Sequence, residues 1–359
     1  MADADLYDYD LPEELIAQAP AADRAAARLL VVDRRSGGLT HRHVRDLPEI
    51  LRPGDLVVVN DTRVVPARLI GRRELTGGRW EGLFLRAARP GEAGAGDAAG
   101  VWQILAHTRG TPAVGERVIL LDRDGADALA LTIVGRGAGG SWLVVPDAPA
   151  AAAPEAILGR VGRVPLPGYI RGGAESPGDV DRYQTVFARA NGSAAAPTAG
   201  LHFTPDLLAA LAARGVDRAT VTLHVGLDTF RPIAAERLED HPMHTEWCDC
   251  PPETVAAVDR ARRRGGRVVA VGTTSTRTLE TAARSGTLAA SSGPTDLFIR
   301  PGFRFRVVDC LLTNFHMPRT TLMVLVSTFA SRETIARAYA EAIRERYRFL
   351  SYGDAMLLG

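Results

Sequence analysis

A chain of 359 residues is long enough for about two domains, and 46% hydrophobic and 24% charged residues with a net charge of +1 describe a soluble globular protein. All 43 basic residues are arginine, so no Schiff-base lysine and no phosphate-loop lysine exists, which excludes pyridoxal-phosphate enzymes and Walker-type nucleotide hydrolases. No run approaches the ~18 apolar residues of a membrane span. The acidic N-terminus lacks the apolar core of a secretory signal, and Cys248, Cys250 and Cys310 form no disulfide framework, so a cytoplasmic location is expected.

In chain order, Leu56-Val-Val-Val-Asn-Asp-Thr-Arg63 is an apolar run that ends in a polar cluster. The character then changes. Between 69 and 156, short β-like runs (81–86, 101–106, 117–121, 128–134, 142–145) alternate with glycine-rich turns, which predicts an all-β domain inserted into a discontinuous α/β domain of 1–68 and 157–359. Gly135-Arg-Gly-Ala-Gly-Gly140 satisfies the dinucleotide-binding pattern, but the strand-like Ser-Trp-Leu-Val-Val comes directly after it, so a hairpin turn is expected. Residues 146–154 look like an alanine-proline linker.

Beyond it, Ala195-Ala-Pro-Thr-Ala-Gly-Leu-His-Phe-Thr204 sets small residues, hydroxyls and a histidine directly before a helix start at Thr204-Pro205-Asp206. Helices are predicted at 205–214, 252–264 and 332–346, the first two closed by Gly215 and Gly265. Two further runs, Arg267-Val-Val-Ala-Val-Gly-Thr-Thr-Ser-Thr-Arg277 and Arg306-Val-Val-Asp-Cys-Leu-Leu-Thr-Asn-Phe-His316, repeat the pattern of a buried strand ending in polar residues. Ligands of α/β folds bind at the carboxyl ends of such strands, so one crevice is expected to gather these clusters.

Taken in order, the motifs resemble the S-adenosylmethionine:tRNA ribosyltransferase-isomerases of queuosine biosynthesis. They include Tyr9-Asp-Leu-Pro12, Asn60-Asp-Thr-Arg63, Pro165-Leu-Pro167, the 195–204 segment, Leu223-His-Val-Gly226 with Thr229-Phe-Arg-Pro232, and His241 with Met243-His-Thr-Glu246. Gly272-Thr-Thr-Ser275, Thr313-Asn-Phe-His316 and Ser351-Tyr-Gly-Asp-Ala-Met356 complete the series. The resemblance implies a large mixed-sheet, barrel-like α/β domain interrupted by a small β-barrel. It also implies transfer of the ribosyl part of S-adenosylmethionine to 7-aminomethyl-7-deazaguanine at the tRNA wobble position, with isomerisation to an epoxycyclopentanediol and release of adenine and methionine. S-adenosylmethionine is then a consumed substrate, with no separate cofactor, and the enzyme is expected to be a monomer.

Such chemistry needs a base, because the sulfonium acidifies the adjacent ribose carbon. The candidates are His202, His316, His224, Asp61 and Glu246, with His202 or His316 preferred. The substrate-binding set implied by the motifs is Asn60, Thr62, Arg63, Pro197, Thr198, Gly200, Phe203, Thr229, Arg231, His241, His244, Thr273, Thr274, Arg277, Asn314, Tyr352 and Asp354. Arg277 beside Thr273 and Thr274 is the expected holder of the methionyl carboxylate, against a buried pairing of these arginines with Glu280, Asp61 or Asp55. Because the net charge is small, tRNA binding must rest on local patches, for which 260–267 and the group Arg68, Arg72, Arg73 and Arg79 are candidates.

Two other readings stand beside this one. His241, His244, Cys248 and Cys250 place four metal-capable side chains within ten positions, in a spacing unlike common zinc sites. Asp228, where the family usually has glycine, leaves open a tRNA-binding homologue with no turnover or a changed substrate.

Overall fold

The computed structural model describes residues 3–88, 100–149, 152–226 and 232–359. The chain divides into two compact units, one of Met1–Arg63, Pro167–Ala174 and Arg182–Gly359, the other of Val64–Leu166 and Glu175–Asp181.

The larger unit begins with β1 (Arg28–Val32), β2 (Leu39–His43), the single turn α1 (Leu47–Ile50), β3 (Leu56–Asn60) and the short β4 (Thr62–Val64). The smaller unit continues the chain with β5 (Arg68–Arg73), β6 (Arg79–Ala87), β7 (Trp102–Thr108), β8 (Arg117–Leu121), β9 (Asp127–Arg136), β10 (Trp142–Pro146), the helix α2 (Pro154–Val161) and β11 (Gly162–Arg163). Six of these strands close an antiparallel barrel, because β5 pairs with both β6 and β8. Its core is built from Trp80, Trp102, Trp142, Val118 and Leu131, and α2 adds Ile157, Leu158 and Val161. That burial explains why this unit runs past residue 156. A helix N-terminus at Pro154 with apolar residues on one face binds the segment after the expected linker into the barrel core.

The chain then supplies α3 (Asp179–Arg182), β12 (Ala190–Ser193), α4 (Pro205–Ala213), β13 (Asp217–Leu223), β14 (Glu246–Cys250), α5 (Pro252–Arg263), β15 (Val268–Val271), α6 (Gly272–Ala282), β16 (Ser291–Thr295), β17 (Cys310–Asn314), α7 (Thr321–Ala330), α8 (Arg332–Arg344) and β18 (Ala355–Leu358). Nine strands form one mixed sheet in the order β16-β14-β13-β3-β15-β17-β18-β1-β2, whose inner strands β13, β3, β15 and β17 are mutually parallel. Every residue of β3, β15 and β17 is buried, as parallel strands covered on both faces require. Leu56, Val58, Val268, Ala270 and Leu311 pack on one side with Val258, Leu279, Val324 and Ile335. Val57, Val59, Val269, Val271 and Leu312 pack on the other with Leu47, Phe203, Leu207 and Leu211.

Helix starts are chemically specified. Thr204 Oγ1 accepts from Leu207 N at 3.1 Å and Thr320 Oγ1 from Met323 N at 3.3 Å. Among the described residues no helix is long and apolar enough to cross a membrane.

Candidate active site

The parallel strands end together, and the segments at their ends line a cleft. Pro197, Thr198 and Ala199 come from the loop before α4, Val225 lies just past β13, Gly272, Thr273 and Thr274 begin α6, and Thr313 to His316 end β17. Tyr169, Leu350 and Ser351 line it as well. The space between these residues amounts to about 610 Å³ including the open mouth.

The polar groups are few and oriented. Asn314 Nδ2 donates to the Leu350 carbonyl at 3.0 Å, while its buried Oδ1 has no partner among the described residues. Leu350 is held in the left-handed region at φ 68, a conformation uncommon for leucine, so Asn314 secures a strained backbone. The buried Thr274 Oγ1 likewise has no partner among the described residues, in the first turn of α6, where backbone N–H groups lack intrahelical acceptors.

His316 is held at three points. Its Nε2 lies 2.8 Å from Thr313 Oγ1, its backbone N–H donates to Tyr339 Oη at 2.9 Å, and its carbonyl accepts from Tyr9 Oη. Burial pulls its imidazole from the ordinary 6.5 down to about 3, so the ring is neutral. His202 does not line this cleft. It faces a smaller neighbouring pocket with Arg24, Arg182 and Tyr352, and its Nε2 is 3.4 Å from Asn314 Nδ2. Burial, with the charges of Arg24 and Arg348, lowers it to about 4.

Other expected site residues are committed elsewhere. Arg277 is buried and paired with Glu246 rather than presented to the cleft, and its Nε donates to the Leu297 carbonyl at 3.0 Å. Glu246 Oε1 accepts from Gly226 N at 2.9 Å. Neither residue lines the cleft, because the turn of α6 that carries Arg277 points its side chain toward β14. Among the described residues the expected pairings of Arg277 and Arg63 with Glu280, Asp61 or Asp55 are also absent. Glu280 accepts from the backbone N–H groups of Arg306, Val307 and Val308, Asp61 is bound by Arg189 and Thr222, and Asp55 by Arg267.

Asn60 is a backbone clamp, accepting from Leu223 N at 3.0 Å and Thr62 N at 3.1 Å and donating to Leu223 O at 2.9 Å. Arg63 donates to the Ala188 carbonyl at 2.7 Å. Gly200 is packed so closely that a Cβ there would meet Phe187 at 2.8 Å. Phe203 is core, edge-on to Phe187. Asp354 accepts from Arg28 N and Arg348 N at 2.8 Å each, and burial raises its carboxyl. Tyr352 is buried edge-on to Tyr183. Thr229, Arg231 and Asp228 lie outside the described residues.

The zinc constellation is not assembled. His241 packs edge-on to Phe298, His244 is exposed, and both cysteines are buried. Among the described residues no group of three His, Cys, Asp or Glu side chains is placed to hold a metal. The basic group on the barrel is largely spent as well, with Arg68 and Arg79 on Glu81, Arg72 on Asp127 and Arg73 on Glu116. In 260–267, Arg264 pairs with Asp217 and Arg267 with Asp55. Sequence reading missed Arg189, Trp247 and Tyr169, none of which stands out by spacing.

The queuosine biosynthesis protein family matches residues 4–358. An S-adenosylmethionine:tRNA ribosyltransferase-isomerase of Symbiobacterium thermophilum is 50% identical over 353 residues, covering 98% of each chain. One from an Azoarcus species is 52% identical over 356 residues, covering 98% of this chain and 96% of its own. In structure, the chain is similar to a crystal structure of an S-adenosylmethionine tRNA ribosyltransferase from Thermotoga maritima, with a TM-score of 0.55 at 36% identity over 99% of this chain and 100% of that one.

Proposed function

The chain belongs to the queuosine biosynthesis family as an S-adenosylmethionine:tRNA ribosyltransferase-isomerase, and from that premise we propose that the cleft at the ends of β13, β15 and β17 is where the ribosyl group leaves S-adenosylmethionine. The acceptor in this reading is the aminomethyl group of 7-aminomethyl-7-deazaguanine at the wobble position of a cytoplasmic tRNA. S-adenosylmethionine is spent in the reaction, no other cofactor takes part, and the enzyme works as a monomer.

One observation carries the assignment of roles: among the described residues, His316 and Tyr169 are the two titratable side chains lining the cleft. Burial pushes Tyr169 up, so it stays a neutral phenol, and pulls His316 down, so its imidazole is held unprotonated and is the base of the two. In our reading His316 removes the proton from the ribose carbon beside the sulfonium. The methionyl carboxylate sits at the start of α6, met by its free N–H groups and the Thr274 hydroxyl. Asn314 Oδ1 accepts from an amino group of the substrate, which satisfies a buried atom without a partner among the described residues.

The test is to incubate the protein with S-adenosylmethionine and tRNA carrying 7-aminomethyl-7-deazaguanine, then digest the RNA. Epoxyqueuosine nucleoside in step with adenine release is the expected result. An unmodified nucleoside despite bound tRNA would refute the acceptor assignment.

A further inference from the structure

Outside the cleft, one surface of the larger unit combines an exposed indole with an ordered support. Trp247 on β14 is 44% exposed, and its ring stacks on His224 with centroids 5.3 Å apart and planes 18° from parallel. His224 is fixed from behind. Its Nδ1 lies 2.8 Å from Thr62 Oγ1, and Gly192 packs so close that a Cβ there would come within 3.0 Å of Nε2. Beside this pair stands Arg189, whose side chain is 76% exposed yet anchored by the buried Asp61 at 2.8 Å. Asp249, two residues along β14, adds its charge to the anchor. An isolated surface tryptophan needs no such scaffold, and leaving an indole face in water forgoes the free energy of burying it.

The patch is continuous with the cleft. Ser193 Oγ accepts from Val225 N at 2.9 Å, and Ala194 N donates to the Val225 carbonyl at 3.0 Å. Val225, the residue after His224, lines the cleft together with Ala196, Pro197 and Thr198. One short loop therefore runs from the side of His224 into the site.

We infer that Trp247, backed by His224, is a stacking platform for an unpaired nucleobase of the tRNA, adjacent to the nucleotide that enters the cleft, with Arg189 directed at the backbone phosphate. The inference rests on the proposed function. The occupant is chosen by chemistry: a flat, exposed indole backed by an imidazole recognises another flat π-face, and a preordered guanidinium recognises a phosphate, the combination by which single-stranded RNA is held. A target in an anticodon loop brings such unstacked neighbours with it.

The experiment uses the full-length protein, with tRNA carrying 7-aminomethyl-7-deazaguanine as probe, and measures tRNA Kd, S-adenosylmethionine Kd and product formation for wild type, Trp247→Ala and Trp247→Phe. Stacking of one base is worth about 1–3 kcal/mol, so Trp247→Ala should weaken tRNA binding by about 5- to 150-fold, Trp247→Phe should retain most of the affinity, and S-adenosylmethionine binding should not change. Arg189→Gln should lower the salt dependence of tRNA binding by about one counterion. Wild-type tRNA affinity in Trp247→Ala would overturn the platform, as would equal losses in Trp247→Ala and Trp247→Phe. If wild type forms no product, it is the proposed function that fails. Product from wild type with an indifferent Trp247→Ala sinks the platform alone.

Discussion

The sharpest departure of the structure from expectation is Arg277, and it gives a quantitative prediction. In Glu246→Gln the carboxylate is lost while Arg277, only 3% exposed at its side chain, keeps its charge in the same interior. Removing one partner of a buried pair typically costs about 3–5 kcal/mol, because the other charge stays desolvated and uncompensated. For a unit of this size each kcal/mol lowers the melting temperature by about 2–4 °C, so a fall of roughly 6–20 °C is expected. Differential scanning calorimetry, with urea unfolding in parallel, reads it directly. The double variant Glu246→Met, Arg277→Met removes both charges and should lose less than the sum of the single variants. A Glu246→Gln protein melting within about 2 °C of wild type would refute the buried-pair reasoning. So would an Arg277→Met protein of wild-type stability whose KM for S-adenosylmethionine alone had risen, since that is the behaviour of a carboxylate holder.

Further expectations arise from the same geometry. Thr274→Val removes a hydroxyl that has no partner among the described residues, so its melting temperature should stay near wild type while KM for S-adenosylmethionine rises by roughly 10-fold or more, the scale of a hydrogen bond to a charged group. Gly200→Ala places a methyl 2.8 Å from Phe187 and 2.9 Å from Thr185 and should cost about 1–3 kcal/mol in urea unfolding. Stability should also fall on the acid side. Unfolded imidazoles take up protons below about pH 6.5, whereas His202 and His316 stay neutral until about 4 and about 3. The unfolded state therefore binds protons first, and between pH 7 and 5 each histidine should remove about 2 kcal/mol, a loss that His316→Asn should reduce.

The segments that announced themselves in the sequence are those whose local chemistry decides their structure. Thr204-Pro205 starts α4, and Gly215 ends it in the left-handed conformation at φ 76, because capping is a matter of neighbouring residues. The continuous apolar runs at 56–60, 268–271 and 310–314 became the buried parallel strands, and the polar ends of the last two delimit the cleft. The turn at 135–140 joins β9 to β10, since no helix start comes after it.

What the sequence hid depends on partners far along the chain. Spacing puts Arg277 near the start of α6 but does not reveal that its face meets Glu246, 31 residues away. Asp61 is a plausible base until Arg189, 128 residues on, sets two guanidinium nitrogens against one of its carboxylate oxygens. His202 and His316 look alike as motif histidines, and only the fold sends them to different pockets. β5 went unrecognised as a strand because its run of arginines masks the alternation of the buried Leu69 and Gly71 with their more exposed neighbours.

His316 is tested most directly by single-turnover adenine release from His316→Asn with tRNA and S-adenosylmethionine saturating, after the Kd of each ligand has been established. A general base predicts Kd values within about threefold of wild type and a release rate lower by about 10²- to 10⁴-fold, the usual contribution of such catalysis. Adenine release at the wild-type rate would show that the proton leaves by another route, and the role given to His316 would be wrong.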